Sequence, residues 1–212
     1  MQFKRQKKGC NLTYKLTLDN CAIARGGRII LSGLSMTLKP GDFIWVTGEN
    51  GVGKSSVLRL AAGILRPETG SVGFNQDSED VPASQLVSLL SHEDGLHPAL
   101  TSAEEMQVWM QSDDMWDALP AAFQLQQLRD RPIKTLSAGQ RRRAAIARQI
   151  GSDKPIWLLD EPLSALDAEA REALMAAVTN HINSGGAAMI ATHHVPSRIS
   201  AGASILNLSA AR

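Results

Sequence analysis

The sequence predicts an α/β fold with a largely parallel central sheet, an antiparallel β part near the N-terminus and a helical insert. Three observations predict it. A glycine-rich loop lies between an apolar strand and a helix, strand and helix patterns alternate after it, and a second apolar strand, at 156–159, ends in two carboxylates. Strands that alternate with helices around such a loop are typical of a parallel sheet covered by helices.

Length and composition fit one sizeable globular domain. The chain has 212 residues, of which 43% are hydrophobic and 20% charged, and its net charge of +1 gives no reason to expect a nucleic-acid partner. No run reaches the roughly 18 apolar residues of a membrane span, and polar residues follow the basic run at 4–8, so we expect neither a span nor a secretory signal. Cys10 and Cys21 have no His or Cys cluster beside them, which indicates reduced thiols and not a metal site.

The first 42 residues predict two antiparallel strands. Apolar and polar side chains alternate over residues 14–18 and again over 30–38, which is the period of a half-buried strand. Arg25-Gly26-Gly27-Arg28 is typical of a hairpin turn between them, and residues 39–42 form the next turn.

The middle of the chain predicts a strand, a loop and a helix in succession. Residues 43–47 are an apolar strand, residues 48–56 a glycine-rich loop, and residues 55–65 a helix. After a turn at 66–70 we expect a short strand at 71–74, a polar loop at 75–85 and a strand at 86–90.

Residues 93–136 predict a helical subdomain that interrupts the core. Thr101 and Glu104 make a capping box, and Met106, Trp109 and Met110 fall on one helical face, which indicates packing rather than ligand binding. The core therefore consists of residues 10–92 and 137–212 within a single domain, 1–212. Its second part carries a helix at 168–183 and strands at 156–159, 187–191 and 204–208.

The glycine-rich loop predicts a phosphate site. Its sequence, GENGVGKSS, matches the pattern G-x-x-x-x-G-K-[ST]. Glycines let backbone N–H groups approach phosphates because no Cβ blocks them, Lys54 adds a positive charge, and Ser55 offers a hydroxyl to Mg²⁺. The predicted phosphate-binding residues are Gly48, Glu49, Asn50, Gly51, Val52, Gly53, Lys54, Ser55 and Ser56.

Two carboxylates at the end of the strand at 156–159 predict metal binding and acid–base chemistry. Apolar packing fixes this strand, so Asp160 emerges at a defined place beside the phosphate loop and can hold Mg²⁺. Glu161 can accept a hydrogen bond from an attacking water, as general base or as the group that positions the water.

Residues 136–140, LSAGQ, precede a helix that begins RRRAAIAR. Ser137 is a good N-cap and Gly139 permits close backbone approach, so one interpretation is simply a capped helix. The other is a second anion site at a helix N-terminus. One nucleotide would need both phosphate-binding termini only if two chains shared it.

These motifs resemble those of ABC-type ATPases in order and approximate spacing over nearly the whole chain. They are GENGVGKSS, LSAGQ, IWLLDE, the SALD string at 164–167 and Thr192-His193. The resemblance implies a P-loop NTPase core of ABC type that binds ATP and Mg²⁺. It also implies a head-to-tail homodimer with composite ATP sites, each formed by one phosphate loop and by Ser137, Gly139 and Gln140 of the other subunit.

The resemblance further implies the catalytic set. His193 would contact the γ-phosphate and act with Glu161 and Lys54 in hydrolysis. Two positions depart from the superfamily pattern: Glu93 stands where a glutamine usually binds Mg²⁺, and Arg25 stands where an aromatic residue usually stacks on adenine. A carboxylate supplies the same oxygen ligand, and a planar guanidinium can also stack on a base.

A closer resemblance is to the ATP-binding subunits of cytochrome c biogenesis exporters. It is carried by RGGR before LSGLSMTLKPGD, by HEDG at 92–95, and by LSAGQRRRAAIAR with IWLLDEPLSALD. This family implies a separate integral membrane subunit and a peripheral position on the cytoplasmic face of a bacterial inner membrane. It leaves open whether haem is exported or is released from a periplasmic haem chaperone.

Other functions remain open from the sequence: the ATPase subunit of another ABC transporter, a soluble ABC ATPase for iron–sulfur cluster assembly, and a nucleotide-binding module with little hydrolysis. For a membrane subunit, we expect the docking surface on the helical insert and residues 93–100. The residues expected there are Leu96, His97, Leu100, Met106 and Trp109.

Overall fold

Nine strands form two sheets in the part of the chain that the computed structural model describes, residues 13–109, 116, 119–193 and 202–210. The strands are β1 (Tyr14–Arg25), β2 (Arg28–Leu38), β3 (Phe43–Thr47), β4 (Thr69–Gln76), β5 (Glu79–Asp80), β6 (Val87–Leu90), β7 (Ile156–Asp160), β8 (Ala187–Ala191) and β9 (Ser204–Asn207). The α-helices are α1 (Lys54–Ala61), α2 (Ala83–Leu86), α3 (Ser102–Trp109), α4 (Ala138–Gly151) and α5 (Ala168–Asn183). Short 3₁₀ helices lie at Ala121–Phe123, Gln126–Leu128, Ile133–Thr135 and Leu208–Ala210.

The larger sheet is parallel, with the strand order β6-β7-β8-β3-β9, and the smaller is antiparallel, with the order β2-β1-β4-β5. The predicted α/β fold with an antiparallel β part is thus confirmed. Because β7, β8 and β3 are neighbours that run in one direction, their carboxyl ends meet at one edge of the parallel sheet.

Both faces of the parallel sheet are covered, which explains its uninterrupted apolar strands. Along β7, Trp157 and Leu159 belong to a core that includes α4 and α5. Ile156 and Leu158 belong to a second core with α1 and the antiparallel sheet. This alternation follows from the two-residue period of a strand.

Tyr14 joins the two sheets on the side opposite the carboxyl edge. Its hydroxyl donates a hydrogen bond to the Gly185 carbonyl oxygen at 2.9 Å and lies 3.4 Å from that of Pro155. These carbonyls stand just before β8 and β7. Burial raises the pKa of the Tyr14 hydroxyl above its ordinary value, and the negative charge of Asp42 raises it further.

Three predicted elements have the predicted bounds: β3, β8 and α5. Helix α1 begins one position earlier than predicted, at Lys54, and stops at Ala61 instead of continuing to 65. Gly63 has a φ of 70° just beyond it, a left-handed conformation that ends a helix.

The polar loop predicted for residues 75–85 is wrong. β4 continues to Gln76 and pairs with β5, and α2 then occupies Ala83–Leu86. Asp77 and Ser78 both have positive φ, 51° and 72°, which is the geometry of a two-residue hairpin turn. Asp-Ser lacks the glycine that usually marks such a turn.

Residues 119–136 of the insert are less helical than predicted. Trp116 is α-helical, and between residues 119 and 136 the described chain forms short 3₁₀ turns, two of which begin after prolines, Pro120 and Pro132. The capping box is confirmed: the Thr101 N–H donates to Glu104 Oε2 at 2.8 Å, and the Glu104 N–H donates to Thr101 Oγ1 at 3.2 Å. The Thr101 hydroxyl also donates to Glu104 Oε2, at 2.9 Å, and the bonds from the Thr101 N–H and hydroxyl hold the pKa of the Glu104 carboxyl below its ordinary value.

The predicted apolar stripe divides between core and surface. Met106 is 1% exposed and packs in the core, whereas Trp109 is 46% exposed. Met110, the third member of the stripe, lies outside the described residues. Among the described residues, no helix has the length and apolarity to cross a membrane.

Candidate functional site

The carboxyl edge of the parallel sheet gathers the predicted chemical groups. β3 leads into the phosphate loop, β7 ends at Asp160, and Thr192 and His193 follow β8. Backbone hydrogen bonds between the strands continue one residue beyond the ends of β7 and β8. The Glu161 N–H donates to the Ala191 carbonyl at 2.9 Å, and the Thr192 N–H donates to the Val46 carbonyl at 3.0 Å. The site is therefore placed by β7 and β8, which are buried at every position, and by β3, which is buried at three of its five.

The phosphate loop needs its glycines. Gly48 and Gly53 have φ values of 144° and 113°, which side chains rarely tolerate. A Cβ on Gly48 would come within 2.9 Å of Val52 Cγ1, and one on Gly53 within 3.0 Å of Leu31 Cδ1.

This cradle fits the phosphates of a nucleotide. Glu49, Asn50 and Gly51 are exposed at its rim, whereas Ser55 and Ser56 are half-buried in the first turn of α1. The first N–H groups of a helix have no partners within it and attract anions.

Lys54, Glu161 and His193 form one cluster. The Lys54 ammonium is buried, donates to the carbonyls of Gly48 and Glu49 at 2.9 and 3.1 Å, and lies 4.0 Å from Glu161 Oε1. His193 Nδ1 lies 3.1 Å from Glu161 Oε2. One oxygen of the carboxylate thus faces the Lys54 ammonium at the start of α1 and the other faces His193 after β8, so the three predicted catalytic residues are brought together.

The Glu161 backbone is in an unusual conformation. Its φ is 45°, a left-handed value that is uncommon for a residue with a side chain. The Ser164 hydroxyl donates to the Glu161 carbonyl at 2.7 Å. Asp160, immediately before it, is 3% exposed.

The donor set suits Mg²⁺ held jointly by protein and phosphates. Among the described residues there is no group of three or more His, Cys, Asp or Glu side chains that could hold a metal alone. Mg²⁺ keeps several waters and typically takes one or two protein ligands beside substrate phosphates, so Ser55 and Asp160 fit that chemistry. Glu93 is exposed, and its backbone carbonyl accepts a hydrogen bond from the Ser91 hydroxyl. Its role as a metal ligand stays a prediction.

LSAGQ caps α4 as predicted. Gln140 N–H donates to Ser137 Oγ at 3.2 Å, and Ser137 N–H donates to Gln140 Oε1 at 2.9 Å. A Cβ added to Gly139 would lie 3.7 Å from the Ala165 carbonyl oxygen. Across the part of the chain that the structure describes, no hydrogen bond or ion pair joins Ser137, Gly139 or Gln140 to the phosphate loop.

A cavity of about 470 Å³ adjoins the phosphate loop, lined by residues 28–32 of β2 and by Gly51 and Val52. Arg25 pairs with Arg28 across the hairpin, but only Arg28 lines this cavity. The role of Arg25 beside a bound base stays a prediction, and Arg28 is a second arginine near the phosphate loop.

Sequence reasoning missed two arginines of α4. Arg142 contacts the backbone of Asp160 and Glu161, and Arg148 contacts residues 94 and 95. The run RRR is typical of a solvated helix face, so only the apolar spacing around it could have indicated that one arginine points inward.

Similar sequences agree with these observations. A family model described as ABC transporter matches residues 31–164. A protein of Nitrobacter winogradskyi named cytochrome c biogenesis ATP-binding export protein CcmA is 39% identical over 184 residues, covering 84% of this chain and 92% of the relative. A protein of the same name from Rhodopseudomonas palustris is 40% identical over 174 residues, covering 80% and 86%.

Solved structures share the fold at lower identity. An ATP-binding subunit of an ABC transporter superposes with a TM-score of 0.74 at 19% identity, covering 84% of this chain and 79% of the other. A dimeric ATP-binding cassette in a post-hydrolysis state, bound to ADP and Pi, has a TM-score of 0.72 at 23% identity, covering 84% and 88%.

Proposed function

We propose, on the premise that this chain belongs to the ABC transporter family of ATPases, that it hydrolyses ATP to energise a membrane complex for the biogenesis of c-type cytochromes. The hydrolytic part rests on one observation, the placement of Lys54 and His193 against the two oxygens of Glu161. The cytochrome part rests on relatives that carry this function in their names.

The phosphate loop and Lys54 would bind the triphosphate. The loop N–H groups converge on its oxygens, and the Lys54 ammonium adds charge-assisted hydrogen bonds. Ser55 and Asp160 would hold Mg²⁺, which neutralises charge on the β- and γ-phosphates.

Glu161 would act on the water that attacks the γ-phosphorus. The new bond forms between the water oxygen and phosphorus, the bond to the bridging oxygen breaks, and the water proton passes to the carboxylate. ADP and phosphate leave. His193 Nδ1, 3.1 Å from Glu161 Oε2, would fix the direction of that carboxylate and would also contact the γ-phosphate.

Two copies of the chain would share each ATP. Ser137 is exposed at the N-terminus of the 14-residue helix α4, and no described bond joins it to the phosphate loop of its own chain. A head-to-tail homodimer would bring the α4 N-terminus of one copy to the phosphate loop of the other. Related cassettes have been solved as dimers, which supports this arrangement.

Substitution of Glu161 by glutamine tests the hydrolytic proposal. The amide keeps the shape of the side chain but cannot accept a proton, so ATP binding should persist while turnover falls by about 10²- to 10⁴-fold. ATP-bound dimers should then accumulate in sedimentation runs. Glu169→Gln, an exposed glutamate in the first turn of α5, is the matched control. Turnover at the wild-type rate in Glu161→Gln would refute the assignment.

A separate integral membrane subunit would dock in a groove beside the insert. The groove encloses about 290 Å³ between the end of α1, the edge strand β6 and α3. Ile64 and Trp109 line it with 67% and 46% of their surface exposed, and two cations, Arg148 and Lys154, stand at its margin. An apolar groove with a polar rim suits an apolar ridge on the cytoplasmic side of a membrane protein.

This groove replaces part of the surface expected from the sequence. Met106 is in the core, and Leu96 is half-buried against it, so neither offers a free apolar face. Trp109 remains. The chain would thus lie peripherally on the cytoplasmic face of the inner membrane.

Ile64→Asp should detach the protein from membranes and leave ATP binding within about twofold of wild type, because a charge in an apolar interface costs several kcal/mol. Ile205→Asp, at an apolar residue that is 50% exposed and does not line the groove, is the control. Fractionation of cells that coexpress the membrane subunit measures the effect. An Ile64→Asp variant that stays membrane-bound would contradict this docking site.

A further inference from the structure

Arg142 is a buried cation with acceptors on two sides. It is 5% exposed and lies one turn into α4. Nη1 donates to the Ser91 carbonyl at 2.8 Å and to Asp94 Oδ1 at 3.1 Å. Nη2 donates to the carbonyls of Asp160 and Glu161 at 2.6 and 3.0 Å.

These acceptors belong to two segments, each at the carboxyl end of one of two neighbouring strands. Residues 91–94 follow β6, and Asp160 ends β7, which pairs with β6 in parallel. Only the guanidinium of Arg142 joins the two segments by hydrogen bonds within the described part of the chain. The planar guanidinium of an arginine carries donors on two sides and can bond both segments, whereas the compact ammonium of a lysine cannot.

Stability alone is a weak explanation for this arrangement. A buried charge must lose its hydration, and the Arg142 Nε is buried with no partner among the described residues. Apolar side chains of similar volume often fill such places equally well. The acceptors themselves suggest the role, because two of the four are the backbone of the catalytic turn.

Glu161 needs such support. Its φ of 45° is a conformation that the surrounding structure must impose. By holding the carbonyls on both sides of the Glu161 Cα, the guanidinium fixes the two peptide planes that aim the carboxylate at His193.

A second arginine of α4 extends the connection toward the surface. Arg148 donates to the carbonyls of Asp94 and Gly95 at 2.8 and 2.7 Å and to Glu105 Oε1 at 2.9 Å. Its guanidinium also lies 5.2 Å from the centre of the Trp109 ring. The segment around Asp94 is thus held by Arg148 on the side of the groove and by Arg142 on the side of the catalytic turn.

We propose that Arg142 is a positioning residue: it holds Glu161 in the geometry for hydrolysis and makes that geometry depend on residues 91–94. The inference rests on the proposed hydrolytic function. A shift of residues 91–94 away from α4 would break the hydrogen bonds of Arg142 Nη1 to Ser91 and Asp94. The guanidinium would then be held less firmly, and the bonds from Nη2 to the Asp160 and Glu161 carbonyls would weaken. The effect falls on the chemical step and spares nucleotide binding, because Arg142 does not contact the phosphate loop in any described bond.

Two substitutions test it in the full chain. Arg142→Lys keeps the charge but cannot span the four acceptors. Asp94→Asn keeps the shape but removes the ion pair. Single-turnover hydrolysis should slow by about 10- to 100-fold in Arg142→Lys, since small misplacement of a catalytic group costs up to about 10²-fold. It should slow by a smaller factor in Asp94→Asn. ATP affinity should stay within about twofold of wild type in both variants, so the loss should be in kcat and not in binding. Arg59→Lys, at an exposed arginine of α1, is the control.

The Glu161→Gln background separates positioning from general stability. If Arg142 acts through Glu161, Arg142→Lys and Asp94→Asn should slow the Glu161→Gln chain no further. The proposal is overturned if either substitution causes the same slowing in both backgrounds, if ATP affinity falls in parallel with the rate, or if both variants hydrolyse at the wild-type rate. Should Arg142→Lys fail to fold, Asp94→Asn alone decides by the same criteria. A wild-type chain that does not hydrolyse ATP would refute the hydrolytic function itself, and this inference with it.

Discussion

The carboxyl edge of the parallel sheet and the segment between β6 and α4, residues 91–137, are held by different forces. At the edge, parallel ladders of β3, β7 and β8 set the backbone, and the reactive side chains extend from it. In the described part of the segment, apolar side chains such as Met106 and Phe123 pack in the core, and arginine side chains add bonds to residues 43 to 54 positions away in sequence. Arg148 bonds the Glu105 carboxylate and the Asp94 backbone carbonyl. A side chain at the edge can therefore change without moving the fold, whereas in the segment the side chains are themselves the support.

The difference predicts two kinds of variant. Changes at the edge should alter binding or chemistry and leave the free energy of unfolding almost unchanged. Changes in the segment should lower stability and hydrolysis while nucleotide affinity is kept. Three predictions test this division, the largest effect first.

Lys54→Ala should remove most nucleotide affinity without unfolding the protein. A lost charge-assisted hydrogen bond to phosphate costs about 1.5–3 kcal/mol, or roughly 10- to 150-fold in Kd. Titration calorimetry measures the affinity, and thermal unfolding without nucleotide measures the fold. Lys39→Ala, in the exposed turn before β3, is the control. A large fall in the unfolding temperature of Lys54→Ala would contradict the comparison, because the stability of the carboxyl edge would then depend on the charged side chain of Lys54.

Glu105→Gln should produce the opposite pattern. The Glu105 carboxylate is 4% exposed, accepts from Arg148 at 2.9 Å and from the His97 N–H at 3.1 Å. An amide weakens these charge-assisted bonds, so the free energy of unfolding should fall by about 2–3 kcal/mol. Denaturant unfolding measures it, with Glu172→Gln, at an exposed glutamate of α5, as control. Equal effects of the two substitutions would contradict a special role for the buried pair.

Arg28→Ala and Arg25→Ala sharpen the comparison at the edge of the site. Arg28 lines the cavity beside the phosphate loop and Arg25 does not, so Arg28→Ala should weaken ATP binding by roughly threefold to tenfold, the value of a partly exposed cation–π contact. Arg25→Ala should change it little. Because a guanidinium stacks on any purine, ATP and GTP should bind wild type within roughly tenfold of each other. Competition between the two nucleotides measures all three values. A stronger effect of Arg25→Ala would support the assignment made from the sequence and contradict the one made from the cavity.

The sequence predicted the edge well because local signals determine it. β3 and β8 are continuous apolar runs, and the loop between β3 and α1 has a fixed glycine pattern, so their bounds and order could be taken directly from the residues. The cap at Ser137 was equally visible, since a capping box acts within four residues.

The segment was predicted poorly because its contacts are remote in sequence. The apolar spacing around the RRR run could indicate at most that one arginine points inward, and no local pattern indicates that Arg142 and Arg148 contact residues 91–95. Met106 and Trp109 have the spacing of one helical face, yet Met106 is buried and Trp109 is 46% exposed. Their spacing gives the face of the helix but not what packs against it.

The hydroxyl of Tyr14 gives the molecule a spectroscopic reporter. The chain contains one tyrosine, so phenolate absorbance in an alkaline titration comes from a single site. Its pKa is raised in the folded state, first by burial and then by Asp42. The stabilisation it reflects is complete below the ordinary tyrosine pKa of about 10 and is lost as the pH rises above that value, because only the unfolded chain then releases the proton. At alkaline pH, the phenolate absorbance should therefore appear when the antiparallel sheet separates from the amino ends of β7 and β8. The ultraviolet spectrum then measures contact between the two sheets.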